Sequence, residues 1–182
     1  PGQKLLLGSY QWEVLAAPGH DHHSVMLYQS EHRILISGDA LWEDGFGVIF
    51  PELWGESGFA ELRSTIEMID SLHPALVIPG HGKPFTDVSR AIAHAKARLD
   101  YLSGDPNRNA RHGAKVLLKF KLLEQRKMKM DLVTQWIGET PTLEKVRKQL
   151  RLSATDFELW LPQALVQANA AKVENDYLVN LD

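Results

Sequence analysis

Cysteine is absent from all 182 residues of the chain. This excludes disulfide bonds and thiolate metal ligands, so any bound metal must use histidine, carboxylate or water. Apolar stretches approaching the roughly 20 residues that cross a bilayer are also absent, and the sequence does not open on a signal-peptide pattern. We therefore predict a cytoplasmic protein that has no membrane partner.

The overall composition is ordinary for a globular protein, with 44% hydrophobic and 24% charged residues. A chain of this length can form one full domain or two small ones. Its charge is uneven along the sequence, because residues 1–105 carry 7 Lys/Arg against 14 Asp/Glu, whereas residues 106–151 carry 12 against 4. This asymmetry predicts separate surfaces with separate partners.

One pattern, a glycine beside a His or Asp at the end of an apolar run, occurs three times. Asp39 follows the run 34–37 through Gly38, His81 follows the run 75–78 within a Pro-Gly-His-Gly segment, and His20 stands after Pro-Gly. Glycine permits a sharp turn with little bulk beside a ligand at a strand end. The pattern predicts one rim that holds a metal, and the alternative is a set of turn residues that cap loops.

The segments APGH, SGDAL and PGHG resemble the second half of the metallo-β-lactamase fold, a superfamily of metal-dependent hydrolases. The resemblance covers roughly the first hundred residues. It implies that His20, Asp39 and His81 are metal ligands, and that Asp39 also has a catalytic role as the carboxylate that bridges two ions. The family's first motif, His-x-His-x-Asp-His, is absent, since Ser24 stands where the Asp should be in the similar segment 20–24. We therefore expect an N-terminally truncated form in which Pro1 marks a cut.

The resemblance implies zinc, as one or two ions in the parent protein, with manganese or iron as alternatives. Such an ion lowers the pKa of a bound water to about 7 and polarises a substrate oxygen. The implied activity is hydrolysis of a small-molecule thioester, ester or lactone. The alternatives are a phosphodiester-cleaving nuclease and a non-catalytic fragment or binding module. Because part of the family's site is missing, we expect this chain alone to hydrolyse such substrates poorly or not at all.

Several further residues near the glycine-flanked ligands have two interpretations. His22 and His23 are either exposed loop residues or substrate contacts and additional ligands. Four aromatic residues of the segment 41–54 could wall an apolar substrate pocket or pack locally: Trp42, Phe46, Phe50 and Trp54.

Alternation of strands and helices in the first hundred residues predicts an α/β half-sandwich of the αββα metallo-β-lactamase type. Helices are predicted at 58–72 and 88–102, and the segment 41–53 is predicted to be a loop. The predicted strands are 4–7, 10–16, 25–28, 34–37 and 75–78.

The segment DPNRN, residues 105–109, is the predicted domain boundary. It divides the chain into domains 1–105 and 106–182. Beyond it the pattern predicts helices and a terminal hairpin, which together resemble a winged-helix domain: 110–126, 132–137, 142–150, about 153–171, and 173–181 for the hairpin. Its basic segment 108–151 could bind nucleic-acid phosphates, although a solvated helix surface is favoured.

An uncovered sheet edge in the first domain favours a homodimer.

Overall fold

The computed structural model describes residues 2–181. The chain divides into two compact units, Pro1–Pro106 and Asn107–Asp182. The division falls inside the segment 105–109 that the sequence singled out. Within the described residues, no helix is both long enough and apolar enough to cross a membrane.

The first unit contains a five-stranded sheet in the order β1-β2-β3-β4-β5. The first four strands pair antiparallel, and β5 runs parallel to β4. Three helices accompany the sheet, so the unit has a mixed α/β fold. The elements are β1 (Lys4–Leu7), β2 (Tyr10–Ala16), β3 (Val25–Gln29), β4 (Ile34–Gly38), α1 (Phe50–Trp54), α2 (Phe59–Leu72), β5 (Leu76–Pro79) and α3 (Val88–Ser103).

The short helix α1 begins inside the segment 41–53 that the sequence predicted to be a loop, and that prediction is wrong for residues 50–53. Pro51 lies at its start and Gly55 ends it in the left-handed region, which are the usual positions for these two residues. Five residues are too few to display a helical period, so periodicity could not reveal the element.

The core of the first unit lies between the sheet and helices α2 and α3. The apolar stripe of α2 faces inward, and Leu62, Ile66 and Ile69 are fully buried against sheet residues such as Leu35 and Val77. Burying large aliphatic side chains contributes about 1.5–3 kcal/mol each. The core therefore holds α2 in place, and the Thr65 hydroxyl of that helix donates to the Pro18 carbonyl at 2.8 Å, in the loop that carries His20.

The second unit combines four helices with a three-stranded sheet in the order β6-β8-β7. Its elements are α4 (Pro106–Gln125), β6 (Lys127–Lys129), α5 (Met130–Glu139), α6 (Pro141–Gln149), α7 (Ala154–Gln167), β7 (Ala171–Glu174) and β8 (Tyr177–Asn180). The sequence did not predict β6, because three residues with lysine at both ends show no strand pattern. Helix α4 also begins four residues earlier than predicted, with Pro106 as its first residue, where the missing N–H costs nothing.

Local side-chain and backbone features define the start of α7 and the turn of the hairpin. Ser153 caps α7, since its hydroxyl accepts from the Asp156 N–H at 3.0 Å. The hairpin turn lies at Asn175 and Asp176, which both have positive φ. That backbone matches the twist of a tight hairpin, and these residue types tolerate it better than most.

Lys119 of α4 reaches the carboxyl end of the second unit. Its ammonium donates to the Ala170 carbonyl at 2.9 Å, to Asn180 Oδ1 at 2.6 Å and to the Leu181 carbonyl. These bonds join α4 to both ends of the hairpin. With its ammonium hydrogen-bonded to these three oxygens, Lys119 has a structural role and is not available to bind a phosphate.

We expect Lys119→Met to lower the free energy of unfolding by about 2 kcal/mol, because hydrogen bonds to a charged donor each contribute more than neutral ones. Urea denaturation measures this change. Lys115→Met, one turn earlier on the same helix, is the matched control and should change stability by less than about 0.5 kcal/mol. Equal losses in both variants would contradict the structural role of Lys119.

Candidate metal centre

The three residues that the sequence singled out lie at one end of the sheet. Asp39 directly follows β4, and His81 lies two residues after β5. Because β4 and β5 are parallel neighbours, their carboxyl ends meet at the same edge. His20 arrives from the loop after β2. We refer to His20, Asp39 and His81 as the His–Asp–His set.

The Asp39 carboxylate lies between the two imidazoles. Its Oδ2 is 3.4 Å from His20 Nε2, and its Oδ1 is 3.8 Å from His81 Nε2. Two ligands about 2.0–2.1 Å from one tetrahedral zinc are themselves roughly 3.4 Å apart. The His81 side chain is 66% exposed, against 23% for His20 and 30% for Asp39, so this place is open to solvent on the His81 side.

The orientation of His20 is set by a backbone carbonyl. Its Nδ1 lies 2.6 Å from the Val48 oxygen, and a carbonyl can only accept, so Nδ1 carries the proton. In the neutral imidazole, the lone pair is then on Nε2, the nitrogen that faces Asp39. Metal-binding histidines are generally oriented by such a bond at the other ring nitrogen. The edge of the Phe50 ring, with its centroid 5.3 Å from that of His20, packs against the same imidazole.

Asp39 is oriented by Trp42. The indole Nε1–H donates to Asp39 Oδ1 at 3.1 Å, and the same indole meets the His81 ring edge-on with 5.1 Å between centroids. One side chain therefore contacts two members of the His–Asp–His set. The spacing of three residues between Asp39 and Trp42 was visible in the sequence, but only the turn after β4 brings the indole back onto the carboxylate.

Two glycines lie against the set in places that a side chain would fill. A Cβ on Gly47 would be 2.6 Å from His20 Nδ1 and 2.9 Å from Asp39 Cβ. A Cβ on Gly80 would be 2.8 Å from Asp39 Oδ1. Real Cβ atoms do not approach so closely, so only glycine leaves room for the side chains of His20 and Asp39 as they are placed here. Gly80 was part of a recognised segment, whereas Gly47 carried no signal in the sequence.

Two imidazole nitrogens and a carboxylate are ligand types that suit zinc, and Gly47 and Gly80 leave space beside them. Within residues 2–181, however, no group of three His, Asp or Glu side chains is placed so that all three could hold one ion. The arrangement is therefore two close pairs that share Asp39. The role of the set as metal ligands and the identity of the metal stay predictions.

The other residues that the sequence analysis named as possible substrate contacts differ in their environments. His22 is exposed and lies 2.7 Å from Glu56, and His23 is exposed with its backbone N–H on Asp21 Oδ1. Phe46 is buried in the core, beneath the Arg98 guanidinium, so of the two interpretations local packing holds for this residue. Trp42, Phe50 and Trp54 remain close to the His–Asp–His set.

We expect Trp42→Phe to weaken zinc binding by roughly 10–100-fold, the usual effect of removing a hydrogen bond that orients a ligand. A competition titration against a chromophoric chelator measures the affinity. Trp12→Phe is the matched control, since the Trp12 indole N–H is buried without a partner among the described residues. Equal zinc affinity in the Trp42 variant and the unmodified chain would contradict the orienting role.

Comparisons with known proteins find sequence similarity over part of the chain. Residues 2–81 match the model of the metallo-beta-lactamase superfamily. The chain is 37% identical over 86 residues to the probable metallo-hydrolase YqgX of Bacillus subtilis (strain 168), covering 47% of this chain and 39% of that protein. It is 30% identical over 84 residues to the acyl-coenzyme A thioesterase MBLAC2 of Gallus gallus, covering 46% of this chain and 30% of that protein. The chain thus spans less than half the length of these relatives.

Among solved structures, the chain is similar to the metallo-beta-lactamase family protein TTHA1429 from Thermus thermophilus. The TM-score is 0.50 at 20% identity, and the similarity covers 100% of this chain and 52% of that protein. At this identity the likeness concerns the fold alone. It agrees with the mixed α/β class that the sequence predicted.

Proposed function

We propose that this chain, whose residues 2–81 match the model of the metallo-beta-lactamase superfamily, is part of a metal-dependent hydrolase. The observation that carries the proposal is the Asp39 carboxylate between His20 and His81, each imidazole nitrogen within 4 Å of one of its oxygens. The similarity to a probable metallo-hydrolase and to an acyl-coenzyme A thioesterase supports the same activity.

In this proposal the His–Asp–His set holds the ion, which we expect to be zinc, with manganese or iron as alternatives. Such an ion supplies a water of lowered pKa and polarises a substrate carbonyl oxygen. The protein's own residues orient the donors: the Val48 carbonyl sets the tautomer of His20, and Trp42 aligns Asp39. Gly47 and Gly80 keep the space beside these donors clear.

The side chains around the set favour an ester, thioester or lactone over a phosphodiester. Aromatic rings contact both histidines, Trp42 at His81 and Phe50 at His20. An aromatic border is better matched to an uncharged acyl substrate.

We further propose that the full activity belongs to a longer protein. The chain covers 30–39% of its curated relatives, and its sequence lacks the His-x-His-x-Asp-His motif. Orientation of a substrate accounts for roughly 7–11 kcal/mol of a barrier. We therefore expect slow hydrolysis from a site that lacks some of the residues that orient the substrate.

We expect zinc- or manganese-loaded chain to hydrolyse thioesters slowly, and Asp39→Ala to lower this rate by roughly tenfold or more by removing the shared carboxylate. Release of thiol from an acyl thioester measures the activity. Asp44→Ala, an exposed carboxylate in the following loop, is the control and should leave the rate unchanged.

Two results would contradict the proposal. Thioester cleavage at equal rates in the Asp39→Ala variant and the unmodified chain would exclude the set as its source. Faster Asp39-dependent cleavage of a phosphodiester than of a thioester would favour the nuclease alternative.

A second copy of the chain is the protein partner that we propose. Strand β1 lies at the end of the sheet, with a partner strand on only one side, and all four of its residues are exposed. Leu6 is 71% exposed, and Leu5 and Leu7 are 40% and 44% exposed. An unprotected apolar edge of this kind pairs readily with another strand.

We expect the unmodified chain to form a dimer and Leu6→Lys to shift it towards the monomer, because a charge on an edge strand opposes edge-to-edge pairing. Light scattering coupled to size-exclusion chromatography measures the mass. Leu123→Lys, at an exposed leucine of α4, is the control. A monomer in all three proteins would contradict self-association through β1.

For the second unit we propose a winged-helix-like domain. Its three consecutive helices α5–α7 and the sheet order β6-β8-β7 support this assignment. A binding role for its basic segment is not favoured, since Lys119 is engaged within the fold.

A further inference from the structure

Phe50 and Trp54, one turn apart on α1, form a short run of aromatic surface that begins at the His–Asp–His set. The Phe50 ring contacts His20 edge-on, and the Trp54 indole stacks on Phe50 with 6.2 Å between centroids and 20° between planes. Trp54 is 38% exposed and Phe50 is half-buried. We call these two residues the aromatic strip. It leads outward from one candidate ligand and presents an apolar face to solvent.

The helix that carries the aromatic strip is held firmly. Leu53 and Pro51 are buried beneath it, and the Phe50 N–H donates to the His20 carbonyl at 3.3 Å. The Glu52 carboxylate accepts the first free N–H groups of the α2 region, from Gly58 at 2.8 Å and from Phe59 at 2.9 Å. Trp54 therefore lies on a rigid surface, and a ligand that binds there loses little free energy to ordering the helix.

The acidic residue beside the strip is already paired. Glu56, two residues after Trp54, lies 2.7 Å from His22. Because this carboxylate is engaged with His22, apolar contact is the main interaction that the strip offers. The other end of the strip is His20 itself, where the reacting carbonyl of a substrate would lie.

We propose that the aromatic strip binds the acyl group of the substrate, and that this group is an apolar chain. The proposal rests on the proposed function for the position of the carbonyl at the His–Asp–His set. The carbonyl lies at the set and the acyl chain extends from it over Phe50 to Trp54. Trp54 is then a specificity-determining residue that favours long acyl groups over acetyl.

Binding of non-hydrolysable ligands tests the strip separately from catalysis. The probes are alkyl thioethers of N-acetylcysteamine from ethyl to octyl, titrated calorimetrically into the metal-free chain. We expect each added methylene that reaches the strip to tighten binding by roughly two- to fourfold, the value of burying part or all of one methylene. Trp54→Ala should abolish most of this dependence on length, and Trp54→Phe should restore much of it.

Tyr101→Ala removes another exposed aromatic of the first unit and is the matched control, with an unchanged dependence on chain length. An unchanged slope in Trp54→Ala would overturn the proposal, and so would equal binding of ethyl and octyl thioethers by the unmodified chain. These outcomes are independent of turnover. Thioester hydrolysis with no preference for chain length would refute the strip and leave the hydrolase in place. Length-dependent binding without hydrolysis would support the strip and contradict the slow hydrolysis that we expect of this chain.

Discussion

The parallel pairing of β4 with β5 is the constraint on which the candidate site depends. Helices α1 and α2 separate the two strands along the chain, yet the pairing places their carboxyl ends at one edge of the sheet. The Gly80 N–H donates to the Gly38 carbonyl at 2.7 Å, which extends the pairing up to the two candidate ligands Asp39 and His81. Without this register Asp39 and His81 would lie on separate loops.

The core stabilises that pairing and so determines the geometry of the site. Helix α2 lies in the connection between β4 and β5, and its buried stripe holds it against the sheet. The same helix bonds through Thr65 to the loop before His20. Packing of one helix therefore supports all three members of the His–Asp–His set, although none of them lies on it.

The segment between β4 and α2 has a different role, since it orients side chains that the sheet has already brought together. Val48 and Trp42 act on His20 and Asp39, and Phe50 packs on His20. The segment contains no long regular element, so its side chains are free to turn towards the end of the sheet. It supplies both the hydrogen bonds that a metal ligand needs and the apolar surface that we assign to the acyl group.

Local patterns in the sequence were enough to predict most strands, the long helices and the identity of the three candidate ligands. Alternation in 10–16, the stripe of α2 and the glycine-flanked His and Asp residues are all features of short segments, and such features report local structure. Other properties of the site depend on packing between segments: which carbonyl faces His20, the return of Trp42 to Asp39, the space cleared by Gly47, and the burial of Phe46 while Trp54 is exposed. These contacts join residues whose spacing along the chain follows no helical or strand periodicity. They arise only when the packed sheet and helices bring distant loops together, and for this reason composition and spacing could not predict them.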